Sequence, residues 1–278
     1  MRMKYFEMKY YNTYYYCNII VNAIQDIDYL TKLNEFFQDY FDECCIDEYK
    51  FPRDSILHDF LRWVVEKIMW EEMDEVLEEM DSKYSDAKGD KNDKLKIAFT
   101  NRYGNEVCLQ LEYAIERYTN EKLSFRKWLE TESFEFIQDA TRDFFEEYDE
   151  LRYKAIEAIA DEVFYLIFQN REFLLWFNES VASWNKFKMN RCTVPEWVKR
   201  VIRHRDKGRC VLCGKDVVGF FETQDSRLEQ FDHIVPLDEH GINDICNIQL
   251  TCDVCNRDKS MNSMTNNVYV NWYDKNEK

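Results

Sequence analysis

Residues 231–260 read FDHIVPLDEHGINDICNIQLTCDVCNRDKS, and two features of this stretch decide how the C-terminal region folds. The first is His233, placed directly after an aspartate inside an apolar run (Phe231, Ile234, Val235, Leu237) and close to Pro236. The chain has only four histidines and three prolines. A histidine in such a run is ordinarily a packed, hydrogen-bonded core residue. The second feature is Cys252-Asp-Val-Cys255, which follows an earlier Cys210-Val-Leu-Cys213 after 38 intervening residues. Two Cys-x-x-Cys knuckles have the spacing of a tetrahedral Zn²⁺ site, because two intervening residues let both sulfurs of a tight turn reach one ion at about 2.3 Å. Gly214 supplies backbone freedom after the first knuckle. With four protein ligands such a site is closed, hence structural, and clamps a segment too loop-rich to fold alone.

The remaining cysteines, Cys17, Cys44, Cys45, Cys108, Cys192 and Cys246, are scattered and read as small buried or indifferent residues. The N-terminal MRMKYFEMKYYNTYYYCNII has no apolar stretch or small-residue cleavage site of a signal peptide. No run approaches the roughly 18 uncharged apolar residues of a membrane span. A cytoplasmic location with reduced thiols and no membrane partner is the expectation.

The 278 residues carry a net charge of −17, which argues against a general nucleic-acid binder. The charge is uneven. Residues 1–190 hold 24 basic and 40 acidic residues, and residues 191–278 hold 13 and 14. Within 185–215, ten basic residues face only Glu196 and Asp206, so this window is +8. It fits a phosphate-tracking surface, with Lys199, Arg200, Arg203 and Arg205 around the exposed side of a short helix.

The first 190 residues have one proline and two glycines, and apolar positions recur every three or four residues, which predicts helices. Residues 28–41 place Leu30, Leu33, Phe36, Phe37, Tyr40 and Phe41 on one face. A second helix is predicted over 54–80, with Pro52 near its start, and 81–94 reads as a polar loop. Residues 95–113 fit a hairpin or a helix, with the helix favoured by context. Two helices are predicted to meet near Asn170. Beyond residue 191, the segment TVPEWVKRVIRHRDKGRC (193–210) predicts a short helix with Pro195 in its first turn and Gly208 ending it. The expected fold is mainly α, with two domains. An acidic, aromatic-rich helical domain (1–190) would serve sensing, assembly or partner binding, and a small α+β domain (191–278) would hold a four-cysteine zinc site.

In RDKGRCVLCGKD (205–216) and in 231–260, the order Asp-His, Pro-Leu, Gly-x-Asn, Asn-Ile-Gln-Leu, Cys-x-x-Cys-Asn and Lys259 resembles the HNH endonuclease family in its zinc-clamped form. The resemblance covers residues 195–265. It implies a ββα-metal domain with His233, Asn247 and Asn256 as the three signature positions. It makes Asp232 and Asn256 ligands of one Mg²⁺ or Mn²⁺, and gives Asn247 the task of holding the His233 backbone. His240 stands where the family often has glycine.

Hydrolysis of a phosphodiester needs an activated water, neutralisation of charge on phosphorus and help for the leaving oxygen. Histidine, with an ordinary pKa near 6.5, suits the first task, and His233 is the expected base. The resemblance gives the cation the stabilisation of the phosphate and the departing 3′ oxygen, with 5′-phosphate products. Arg257 and Lys259 follow the metal asparagine and are expected to meet phosphate. The expected activity is metal-dependent cleavage of DNA, with bacterial restriction or phage defence as the role the resemblance implies. The acidic helical region would regulate or assemble the nuclease, through a protein partner or a second copy. Cleavage of RNA is the near alternative, because the site chemistry does not read the sugar. A non-catalytic zinc module that binds nucleic acid or protein is the other.

Overall fold

The computed structural model describes residues 7–9, 12–23, 27–43, 50–84, 109–125, 127–128, 137–218 and 229–267. In chain order these form α1 (Thr13–Ala23), α2 (Ile27–Glu43), α3 (Ile56–Tyr84), α4 (Gln110–Thr119), α5 (Ile137–Glu147), α6 (Asp149–Ile167), α7 (Arg171–Trp184) and α8 (Glu196–Arg205). The strand β1 (Glu229–His233), the strand β2 (Ile248–Cys252) and α9 (Asp253–Lys259) follow. The described residues are mainly helical, as the periodicity predicts, with one small sheet among them toward the C-terminal end.

Helix boundaries follow local chemistry. Asn170 separates α6 from α7 and caps the latter, its side chain accepting from the Phe173 N–H at 3.1 Å. Ser55 starts α3 in the same way, accepting from the His58 N–H. α3 runs to Tyr84, one turn into the segment expected to be a loop; residues 85–94 lie outside the described residues. The ambiguous 95–113 stretch is helical where it is described beyond Gln110, and 95–108 lie outside. α8 begins after Pro195 and its end is closed by Gly208, whose N–H donates to the Arg203 carbonyl at φ +68°.

Backbone proximity divides the chain into two compact units: 1–17 with 60–164, and 18–59 with 165–278. This division does not fall at residue 190. In the first unit Trp70 packs on Phe145 with ring centroids 4.1 Å apart, and Phe125 meets Phe144 at 5.0 Å. The buried Glu162 carboxylate accepts from the Thr13 and Tyr118 hydroxyls and the Lys9 N–H. In the second unit Phe37 packs on Phe177 and Trp184. There α7 also reaches the C-terminal segment: the buried Asn178 amide donates to the Cys246 carbonyl at 3.0 Å. Arg171 pairs with the buried Asp206, which accepts from the Leu250 N–H. These long-range bonds explain why residues 165–190 fall with the C-terminal region.

The two strands pair antiparallel, with Asp232 opposite Gln249 and His233 opposite Ile248. β2 is buried along its whole length, and α9 packs on both strands. Strand, strand and helix thus form the ββα arrangement that the resemblance implies.

Candidate metal centres and nuclease site

The first knuckle is a tight turn at the end of a small bridge. Arg209 pairs with Asp216, the Cys210 N–H donates to the Lys215 carbonyl, and the Gly214 N–H donates back to Cys210 at φ +75°. The Val211 N–H bonds to the Leu250 carbonyl, which ties this turn to β2. The second knuckle opens α9, where Cys252 caps the helix by accepting from the Cys255 N–H. The sulfurs of Cys210, Cys213, Cys252 and Cys255 all lie within 4.8 Å of one another. Cys213 and Cys252 are 3.9 Å apart, close to the roughly 3.8 Å edge of a tetrahedron with 2.3 Å arms. Burial pushes the Cys210 thiol up, so a cation is what would draw the protons off this set. The donor set fits Zn²⁺.

His233 ends β1 and is 7% exposed. Its Nε2 lies 3.2 Å from Oδ1 of Asn243. The Asn243 Nδ2 donates to the Asn190 carbonyl at 2.9 Å, which fixes the amide with its oxygen toward the ring. Nε2 therefore carries the hydrogen, and Nδ1 keeps the lone pair. Burial pushes the His233 pKa down to about 4; the Asn243 bond and the Asp232 charge oppose this, while Arg191 and Lys259 add to it. The imidazole is neutral at neutral pH.

Asn247 is fully buried. Its side chain grips the Val235 backbone on both sides, Oδ1 accepting from the N–H at 2.8 Å and Nδ2 donating to the carbonyl at 2.9 Å, and it also donates to the Ile242 carbonyl. This corrects the sequence expectation: the residue held is Val235, two positions beyond His233. The His233 carbonyl is instead held by Lys259 Nζ at 2.7 Å.

Lys259 is the second correction. It was expected at the surface against phosphate, yet it is 3% exposed, and its Nζ sits 3.0 Å from Oδ2 of Asp232. Arg205 is the third. It is 2% exposed, its guanidinium clasps Asp206 at 2.8 and 3.0 Å and donates to the Ile248 carbonyl, so it cannot reach a ligand outside. The other basic candidates stand differently. Arg203 is half-buried in a bidentate pair with Glu229 and lies over Phe231. Lys199 pairs with Glu196. Arg200 is exposed, and the exposed Arg257 pairs with Asp253.

The loop between the strands is closed by the Gly241 N–H donating to Pro236. A Cβ at Gly241 would fall 2.1 Å from the Val235 carbonyl oxygen, so only glycine fits. His240 adopts φ 63°, the left-handed conformation that a glycine takes without strain, and its carbonyl is held by Asn185 at 2.9 Å.

A hard divalent cation takes oxygen donors. Among the described residues the partners of the Asp232 carboxylate, Lys259 and Gln249, both engage Oδ2, which leaves Oδ1 for another ligand. The Oε1 of the same Gln249 amide is buried without a partner among the described residues. Asn256 is half-buried on α9, one turn before Lys259, whose side chain reaches β1. A carboxylate with amide oxygens suits Mg²⁺ or Mn²⁺, so these residues fit the cation that the resemblance implies. Sequence reasoning missed Asn243, Gln249 and Arg191. Asn243 stood in the Gly-x-Asn motif without a role, and Arg191 stood in the basic window.

No curated protein and no solved structure matches the chain. Residues 210–261, in the C-terminal region, match the family model described as HNH endonuclease.

Proposed function

We propose that the chain is a metal-dependent nuclease that hydrolyses phosphodiester bonds, with DNA as its substrate and His233 as the base. The observation that carries this reading is the neutral, buried imidazole of His233, oriented by Asn243 and adjacent in sequence to the Asp232 carboxylate. Its Nδ1 would accept the proton of the attacking water while Nε2–H stays on Asn243. Asp232 and Asn256 would hold one Mg²⁺ or Mn²⁺, with the Gln249 amide beside them. The cation, when bound, supplies charge neutralisation at the scissile phosphate. Asn247 keeps the chain after His233 in place through Val235, and the four cysteines, closed on Zn²⁺, hold α9 against the strands.

The exposed Arg191 and Arg200 on the basic window would meet the backbone of the substrate. The acidic helical region, residues 1–190 in the sequence reading, would restrain or assemble the nuclease, and a part in bacterial restriction or phage defence would follow from that layout. In the cytoplasm this restraint would protect the host's own nucleic acid. Among the described residues no helix is long and apolar enough to cross a membrane.

Incubation of the zinc-loaded protein with plasmid, single-stranded DNA and RNA, each with Mg²⁺, Mn²⁺ or EDTA, tests the reading. Cutting of DNA that EDTA abolishes is expected. Cutting of RNA alone would replace DNA as the substrate, and no cutting of any of them would leave a zinc module that binds without catalysis.

A further inference from the structure

The side chain of Lys259 is almost wholly buried, with 1% of its surface exposed, and it makes two contacts at once. Its Nζ donates to the His233 carbonyl at 2.7 Å and pairs with Oδ2 of Asp232 at 3.0 Å. One ammonium therefore joins α9 to the two adjacent residues of β1 on which the proposed chemistry depends. A lysine so placed has a fixed direction, because both acceptors are anchored by the sheet register that sets Asp232 against Gln249 and His233 against Ile248. Gln249 shares Oδ2 from the other strand at 3.3 Å, so among the described residues Oδ1 is the carboxylate oxygen left for a further ligand.

We propose that Lys259 is a positioning residue that aims Asp232 Oδ1 and, by its positive charge, keeps the Asp232 site weak for a divalent cation until a phosphate adds negative charge. The inference rests on the nuclease reading above, in which Asp232 is a cation ligand. Two effects compete at Asp232. A bound cation would share its ligand carboxylate with a buried ammonium only a few ångströms away, and two positive charges at that range repel strongly where water is scarce. Against this, removing the lysine frees one carboxylate rotamer, a smaller penalty. The charge wins, so loss of the lysine tightens cation binding. Binding of substrate phosphate beside the site cancels the repulsion, which couples metal occupancy to the presence of substrate.

The experiment is a Mn²⁺ titration, read by the loss of the free-ion electron paramagnetic resonance signal, on the full-length zinc-loaded chain without nucleic acid. Wild type is compared with Lys259→Met, Lys259→Arg and Asp232→Asn, with zinc content and helical circular dichroism recorded for each. Lys259→Met is expected to bind Mn²⁺ about tenfold more tightly than wild type. Lys259→Arg, which keeps the charge, stays within about twofold of it, and Asp232→Asn loses the site. If Lys259→Met fails to retain zinc, Lys259→Gln, which keeps a donor for the His233 carbonyl, carries the same expectation. Equal or weaker binding in the uncharged variant, with binding still dependent on Asp232, overturns the role of Lys259 and leaves the metal site standing. Absence of any binding that depends on Asp232, in wild type and variants alike, overturns both.

Discussion

Asn243 holds Nε2 of His233 at 3.2 Å while its own Nδ2 is spent on the Asn190 carbonyl at 2.9 Å. Because the amide is pinned from behind, it selects one tautomer of the ring. Asn190 follows α7 by only a few residues, so the orientation of His233 depends on a segment outside the matched domain.

On the proposed base role, Asn243→Ala lowers the cleavage rate by about 10- to 100-fold, in the range found for groups that orient a reactive histidine. The zinc content stays at the wild-type level. Asn243→Asp sets a carboxylate against the same Nε2–H, favours the imidazolium and raises the His233 pKa. The acid limb of its pH–rate profile therefore moves to higher pH. Steady-state rates across pH 5–8 check both outcomes.

The carboxyl of Asp244 titrates against the fold in the opposite direction. It is wholly buried, and burial pushes its pKa up from 3.8 to about 6, with the nearby Asp59 adding to the rise and the Cys246 and Ile56 N–H donors opposing it. Between about pH 4 and 6 the folded chain keeps a proton that the unfolded chain has released. Stability from this group is therefore fully present below about pH 4 and is lost as the pH rises through about 6. Relative to Asp244→Asn, wild type is expected to lose about 3 kcal/mol between pH 4 and 7. Urea unfolding of both proteins at a series of pH values measures the difference.

Zinc removal is expected to unfold the C-terminal region rather than only inactivate it. The knuckles hold the Val211–Leu250 bond and the start of α9 together, and a segment of this size draws much of its folding free energy from the metal. One zinc per chain, loss of the thermal transition on chelation, and the same loss in Cys213→Ser are the expected results. Elemental analysis and calorimetry check them.

Much of this site was legible in the sequence because its parts are fixed by short spacings. Cys210, Cys213, Cys252 and Cys255 declare their turn geometry through two-residue gaps, and Asn170, Pro195 and Gly208 mark helix ends by their own backbone chemistry. What could not be read depended on distant partners. Lys259 looks like any charged residue after a helix turn, and only the folded strand shows it buried against Asp232, 27 positions earlier. Arg205 shares its basic window with exposed arginines, but the helical phase turns it inward onto Asp206. The Asn178 bond to Cys246 spans 68 residues, and no periodicity announces it. For the same reason the second compact unit collects residues 18–59 and 165–190, which composition had grouped with the acidic helices.

The proposed cleavage depends on the neutral imidazole of His233. The most direct measurement is the rate of cleavage of the same DNA in Mg²⁺ by wild type and by His233→Ala, both zinc-loaded and equally folded. A loss of about 10²- to 10⁴-fold is expected in the variant, as for removal of a general base. Equal rates for the two proteins would contradict it.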